Sequence, residues 1–103
     1  MIRGTTPTIM INTDADLTAA TVVIISFSQR TNSREGIVRV DKELPNITVT
    51  SESVSCTLSQ VETLSFAVGE IKIQVRAKYP DGSVIASNIM TASVDTALND
   101  EVI

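Results

Sequence analysis

The sequence predicts an all-β domain of about seven short strands with one short helical turn. Val, Ile and Thr make up roughly a third of the 103 residues, a composition that favours side chains packing on a pleated surface. Several segments alternate strictly between apolar and polar residues, the period expected of half-buried strands. Turn-forming residues separate these segments at intervals of about 8–12 residues. Together these three features favour a compact β-structure over a helical one.

The first two strands are predicted near the N-terminus. Residues 6–11 read as the first strand, in which Pro7 suits an edge position because proline donates no hydrogen bond to a ladder. Residues 19–28 read as a central strand with apolar side chains on both faces, and a polar loop is expected over residues 29–35. The side chains expected to face the core from this central strand are Val23, Ile25 and Phe27.

The middle of the chain predicts three shorter strands and a helical turn. Residues 36–42 alternate as an amphipathic strand, and a break at Pro45 precedes a short strand at residues 47–50. Residues 52–58 alternate again. Ser59 and Glu62 match a capping box, which predicts one helical turn through Leu64. The inward positions of the third of these strands are Val54, Cys56 and Leu58.

The clearest element is a hairpin in the C-terminal half. Residues 70–79 alternate strictly, and residues 80–83 supply the Pro, Asp and Gly of a tight turn with a bulge at Gly82. Residues 84–94 form the return strand. Its alternation slips at Ser87, which predicts either a bulge or a change of partner strand.

This arrangement is typical of an immunoglobulin-like antiparallel β-sandwich, and residues 1–103 are predicted to form one such domain. Only the architecture is predicted, because the Cys–Trp–Cys pattern of antibody domains is absent. Residues 97–103 are expected to form a loose tail.

Composition disfavours several classes of function. A formal charge of −4 and a pI near 4.6 argue against nucleic acid and anionic membranes as partners, since both require a basic surface. The chain has no histidine and a single cysteine, Cys56, so the commonest general base, an internal disulfide and a thiolate zinc site are all lacking. No secretory signal and no membrane-spanning stretch are visible, which predicts folding in a cytoplasm.

No catalytic, cofactor-binding or metal-binding residues are predicted. Asn12, Asp14 and Asp16 alternate like the start of a calcium loop, but the Gly and distal Glu of an EF-hand are missing and a strand-connecting turn gives the same residues. Cys56 lies on an apolar face without a histidine to activate it. The acidic residues form no pattern that indicates a carboxylate pair in a cleft.

The chain begins MIRGTTPT, and further motifs lie at residues 58–64, 71–76 and 81–88. Together they resemble a family of small proteins of phages and prophages of Gram-positive bacteria. The N-terminal residues 1–8, MIRGTTPT, resemble the family's basic residue followed by Gly-Thr-Thr-Pro-Thr. The likeness continues in residues 58–64, in residues 71–76 and in residues 81–88. The chain is also similar to the immunoglobulin-like N-terminal domain of phage baseplate upper proteins. The resemblance implies a protein of the virion, in its tail or baseplate, and brings no catalytic residues with it.

The expected function is therefore that of a non-enzymatic phage structural or assembly protein. Its expected partners are other phage structural proteins and further copies of itself. The alternative is an adhesion or carbohydrate-binding module, although the chain has no Trp and Tyr79 is its one ring expected to be exposed to a sugar. The Val22/Ile24 face is covered either by a partner or by the domain's own loops. Residues predicted to contact partners are Arg3, Thr5, Thr6, Thr8, Val22, Ile24, Val102 and Ile103.

Overall fold

The chain folds into two antiparallel sheets, which confirms the predicted all-β sandwich. The computed structural model describes residues 1–30, 36–99 and 101–103. It contains eight strands and one short helix rather than seven strands, because the predicted return strand of the hairpin is divided in two. In chain order the elements are β1 (Thr8–Asn12), β2 (Val22–Arg30), β3 (Ile37–Glu43), β4 (Ile47–Val49), β5 (Ser53–Thr57), α1 (Gln60–Leu64), β6 (Gly69–Lys78), β7 (Val84–Ala86) and β8 (Met90–Val94).

The order of the strands is that of an immunoglobulin-like fold. One sheet has the order β1-β5-β4, and the other has the order β3-β2-β6, with β7 and β8 both paired to the far side of β6. The strands β1, β5 and β4 therefore take the places of strands B, E and D, and the larger sheet takes those of C′, C, F and G. Chain crossings between the sheets follow β1, β3 and β5, as that topology requires.

The core lies between the sheets and is built on the pair β2–β6. Alternate residues of both strands point inward, and the register places Phe27 opposite Ile73 and Ile25 opposite Val75. Phe27 and Ile25 are fully buried. The strand β2 runs two residues further than predicted, because Gln29 continues the inward alternation and its carboxamide bonds both the N–H and the C=O of Ala67 at 2.7 Å. The predicted loop over residues 29–35 was therefore placed too early, and its residues 31–35 lie outside the described residues.

The helix α1 joins β5 to β6 and has the predicted capping box. The Ser59 hydroxyl accepts from the Glu62 amide at 3.1 Å, and the Glu62 carboxylate accepts from the Ser59 amide at 2.8 Å. The same carboxylate pairs with Lys42 of β3 at 2.7 Å. Burial by itself raises the pKa of Glu62, but the hydrogen bonds from Lys42 and Ser59 outweigh it, so this pKa lies below its usual value. The carboxylate thus ties α1 to the edge of the larger sheet.

The hairpin β6–β7 closes as predicted, with a bulge at its turn. The Gly82 amide donates to the Tyr79 carbonyl at 2.9 Å, and the Tyr79 amide donates to the Ser83 carbonyl at 2.9 Å. The φ angle of Gly82 is +88°, a conformation that glycine adopts without strain. This local geometry follows directly from the Pro-Asp-Gly sequence.

A second bulge separates β7 from β8. The pairing with β6 shifts by one residue between Ala86 and Met90, and both strands keep β6 as their partner, which confirms the bulge rather than a change of partner. Ser87 bridges the shift. Its amide donates to the Val75 carbonyl at 2.8 Å, and its hydroxyl accepts from the Val75 amide at 3.0 Å. The one-residue shift changes which residues of the return strand point inward: odd-numbered ones before the bulge and even-numbered ones after it. Ile85 and Met90 therefore both point toward the smaller sheet.

The N-terminal residues connect the two sheets. Ile2 forms a parallel bridge with Asp95, next to the end of β8, and the terminal amine donates to the Ser93 carbonyl at 2.7 Å. The chain then crosses to β1 over the fully buried Thr63 of α1. The Thr63 hydroxyl donates to the Thr5 carbonyl at 2.9 Å and accepts from the Gly4 amide at 3.0 Å. Pro7 precedes β1 rather than lying within it.

We predict that Thr63→Val destabilises the domain by about 1–3 kcal/mol, because the isosteric change leaves the Gly4 amide and the Thr5 carbonyl without their buried partner. Urea unfolding measures the loss. The matched control is Thr57→Val, whose hydroxyl contacts Thr8 on the surface and whose loss we expect to stay within about 0.5 kcal/mol. Equal losses for the two variants would contradict the role of Thr63.

We also predict that Glu62→Gln lowers stability at neutral pH and that the difference from the wild type shrinks in acid. A carboxylate with a lowered pKa stabilises the fold fully above its unfolded pKa, near 4.5, and loses that contribution as the pH falls through the lower folded value. Denaturant unfolding at a series of pH values measures it. Glu52→Gln, on an exposed turn, controls for the removal of one negative charge, and a Glu62→Gln deficit independent of pH would refute the mechanism.

Candidate protein-binding edge

The outer side of β1 presents an unpaired row of backbone groups. Hydrogen bonds from the Leu58 amide to the Pro7 carbonyl at 3.0 Å and from the Thr13 amide to the Glu52 carbonyl at 2.8 Å fix which residues face β5. In an antiparallel pair the backbone N–H and C=O groups of successive residues point alternately toward the partner strand and away from it. The groups of the odd-numbered residues of β1 therefore point toward β5, and those of the even-numbered residues point outward. The N–H and C=O groups of Thr8, Met10 and Asn12 therefore point away from the sheet, and no strand of the described chain pairs with them. We call this row the β1 edge.

The other sheet edges carry features that obstruct the addition of a strand. β3 carries charged residues at four of its seven positions, and β4 and β7 have only three residues each. β8 begins at the bulge, and the N-terminal segment occupies its outer groups at Ser93 and Asp95. Charges, short strands, bulges and covering segments are the usual protection of edges. The β1 edge has none of them within Thr8–Asn12, where no residue is charged and none is proline.

A groove of about 480 Å³ lies between the Asn12 end of the β1 edge, the loop that follows β1, and the β7–β8 edge. We call it the inter-sheet groove. Its floor is apolar and buried, and its walls are partly exposed: Ile85 points into the space between the sheets but keeps 39 % of its surface accessible. The apolar side chains that line it are Ile11, Ala15, Leu17, Val75, Ala77, Ile85, Ala86 and Met90. This side of the sandwich is therefore open, whereas the centre is fully packed.

Acidic residues stand at one end of the groove, in the loop that follows β1. Asp14 lines the groove and is exposed, and Asp16 lies two residues further along the chain. The Thr18 hydroxyl and amide both donate to the Asp16 carboxylate, which holds the pKa of this carboxyl below its usual value. Leu17 is buried and the Tyr79 hydroxyl donates to the Asp16 carbonyl at 2.9 Å, so both anchor the loop. The Asn/Asp-rich segment thus forms the strand-connecting turn that the sequence offered as one alternative.

The solvent face of the smaller sheet is polar but uncharged. Its outward side chains form rows across the three strands, with Met10 beside Ser55 and Ser55 beside Thr48. Met10 is 68 % exposed, which makes it the exception on a face of hydroxyl and amide groups. The face consists of Thr8, Met10, Asn12, Thr48, Ser53, Ser55 and Thr57. It adjoins the β1 edge and adds no charge that would repel an incoming chain.

The structure gives the four predicted contact residues at the N-terminus different surroundings. Arg3 is half-buried, and its guanidinium donates to the Phe66 carbonyl at 2.6 Å and the Leu64 carbonyl at 3.0 Å. Thr5 and Thr6 are exposed on the crossing segment. Thr8 alone belongs to the β1 edge. Contact with a partner remains a prediction for all four.

The other four predicted contact residues lie elsewhere on the surface. Val22 is exposed and Ile24 is half-buried on the outer face of the larger sheet, where the register places Val22 beside Lys78. Val102 and Ile103 are exposed at the C-terminus, and the Gln60 carboxamide bonds both the N–H and the C=O of Ile103 at 2.8 Å. The eight predicted residues therefore do not form one surface. Met10 was not among the predicted contact residues, although its position between Ile9 and Ile11 in an alternating strand places it on the face opposite to theirs.

Cys56 is buried, and burial raises the pKa of its thiol, which disfavours the reactive thiolate. No group of three or more Cys, Asp or Glu side chains within the described ranges is placed to hold a metal ion. None of the helices in the described part of the chain has the length and apolar character needed to cross a bilayer.

Comparisons with protein-family models, with curated proteins and with solved structures find no match to this chain.

We predict that the Cys56 thiol reacts with an aromatic disulfide reagent at least about a hundredfold more slowly in the native protein than in concentrated guanidinium chloride, because reaction requires opening of the core. Absorbance of the released thiolate measures the rate. A Val61→Cys variant supplies an exposed thiol on α1 as the control and should react at once. Rapid native labelling of Cys56 would contradict its buried position.

Proposed function

We propose that this protein is a non-enzymatic structural or assembly module that binds other protein chains through the β1 edge. The observation that carries the proposal is an edge of regular β-structure with outward backbone groups at Thr8, Met10 and Asn12 and no protecting charge. Such edges bind partner chains by extending the sheet. The apolar inter-sheet groove beside it offers burial for partner side chains.

We further propose that the assembly is a phage particle and that the chain belongs to its tail or baseplate. Support comes from the N-terminal MIRGTTPT string and from the resemblance to small phage proteins that continues along the chain. A rigid sandwich suits a particle component, because such a component contributes shape and contact surface.

The alternative, an adhesion or carbohydrate-binding module, has less support. Sugar binding favours an exposed aromatic ring, and the ring of Tyr79 is half-buried while its hydroxyl already donates to the Asp16 carbonyl. The hydroxyl-rich face of the smaller sheet has no aromatic residue.

The test is incorporation of an epitope-tagged copy into particles produced by the phage-bearing host. Particles are purified on a density gradient and the tagged chain is quantified by mass spectrometry. We expect the wild type in the particle band and about tenfold less of Met10→Lys, since a charge on the β1 edge opposes strand pairing.

Val61→Lys is the matched control, because Val61 is 66 % exposed on α1 and the substitution adds the same charge away from the edge. Thermal unfolding of both variants checks that they fold equally well. A wild-type chain that stays outside the particle band would overturn the proposed phage role. Equal incorporation of the two variants would overturn the role of the β1 edge.

A further inference from the structure

The two sheets differ in width on the open side of the sandwich. In the immunoglobulin architecture a strand A lies beside strand B and completes the smaller sheet. Here β1 takes the place of B, and the residues before it pair with β8 instead, at Ile2 and Asp95. No described strand pairs with the outer side of β1, opposite β5, although β7 and β8 extend the larger sheet at this side. The inter-sheet groove occupies the position of that missing neighbour.

The groove has the chemistry that one β-strand needs on both of its sides. On one side the backbone groups of Asn12, which lines the groove, and of Met10, which precedes it on β1, point outward and can form a ladder. Beneath lie the apolar side chains of Ile11, Ile85 and Met90, which would receive every second side chain of an added strand. Ile85 is 39 % exposed although it faces the interior, which is the accessible apolar surface such a strand would bury.

Charge indicates the orientation of the added strand. Asp14 is the one charged residue among those described around the groove, and it stands at the end where β1 finishes. An added strand antiparallel to β1 begins at that end. A Lys or Arg at the first residue of the added strand would therefore lie beside Asp14 and near Asp16, where opposite charges attract.

We propose that the inter-sheet groove binds a single extended segment of another protein, antiparallel to β1, with apolar side chains at alternate positions and a basic residue at its N-terminal end. This inference rests on the proposed function and names the chemistry of its partner. The segment adds the fourth strand of the smaller sheet and covers β7 and the start of β8.

Two other occupants fit less well. A second copy that pairs β1 with β1 offers no basic residue within Thr8–Asn12 to lie beside Asp14. The chain's own C-terminal residues carry Glu101 and would bring a negative charge toward Asp14. A separate, basic-ended strand supplies the positive charge that both of these lack.

The experiment titrates isotope-labelled full-length protein with an acetylated seven-residue probe peptide, Lys-Val-Thr-Ile-Thr-Val-Thr, and follows amide hydrogen exchange by NMR. We expect new protection at the Met10 and Asn12 amides, which point to the added strand. The Ile9 and Ile11 amides face β5 and should keep their existing protection. Unchanged exchange at Met10 and Asn12 at saturating peptide would overturn the proposal.

Control peptides separate strand addition from general stickiness. A peptide of the same composition with its three apolar residues made adjacent should bind about tenfold more weakly, because alternate insertion is lost. Moving Lys to the C-terminal end should weaken binding similarly. Equal binding of all three peptides would overturn the alternation and the orientation.

Variants test the two sides of the groove. Met10→Pro removes an outward N–H that makes no bond to β5, and Ile85→Glu places a carboxylate in the apolar wall; each should weaken the peptide about tenfold. Ile37→Glu, at a 59 % exposed isoleucine of β3, is the control for Ile85→Glu and should bind normally. If Ile85→Glu unfolds, Met10→Pro still decides, because proline is tolerated at a sheet edge.

Failure of strand insertion can be distinguished from failure of the proposed function. Particle incorporation that depends on Met10, combined with absence of peptide binding, would overturn strand insertion and leave the assembly role standing. Peptide binding by a chain that is absent from particles would support strand insertion and overturn the phage role.

Discussion

The antiparallel pairing of β2 with β6 is the interaction on which the rest of the domain depends. Both strands lie in the middle of the larger sheet and bury alternate side chains against the smaller one. A one-residue slip would place Lys72, Gln74 and Arg76 in the core, so the apolar pattern fixes the register strongly. With only two Phe and no Trp in the chain, this core relies on close packing of aliphatic side chains. The facing pairs are Val23 with Ala77, Ile25 with Val75, and Phe27 with Ile73.

The open side of the sandwich follows from how β6 is used on its other edge. β7 and β8 both pair with β6, and the bulge at Ser87 turns Ile85 and Met90 toward the smaller sheet. The N-terminal segment covers only the far end of β8, at Ser93 and Asp95. The groove beside β1 therefore depends on strand pairing within the two sheets and on the loop after β1, which contributes Asp14 and Leu17 to its lining.

Features that depend on neighbouring residues could be predicted from the sequence. The turn at Gly82 and the capping box of Ser59 and Glu62 are local, so their residue types sufficed. The bulge at Ser87 was indicated by a break in alternation, but the choice between a bulge and a new partner required the pairing itself. The division of the return strand into β7 and β8 changed the predicted number of strands.

Features that join distant residues could not be read from the pattern. Gln29 was assigned to a loop because it is polar, yet it continues the inward alternation of β2 and bonds the backbone of Ala67. Arg3 was predicted as a contact residue because it lies near the N-terminus, and its bonds to Leu64 and Phe66 depend on the position of α1. The unpaired side of β1 was anticipated, but the groove beside it requires the relative position of the sheets.

The polarity around the β1 edge favours a selective contact over general association. An open edge invites pairing with any extended chain, and most domains protect theirs with charge or with irregular strands. Here the adjoining solvent face carries Thr, Ser and Asn side chains, with Met10 as the exposed apolar residue, so face-to-face stacking gains little burial. The apolar surface next to the β1 edge lies instead in the groove, where a chain gains burial only if it also lies in register with β1. Backbone pairing and side-chain burial are thereby coupled, and a partner that supplies one without the other binds weakly.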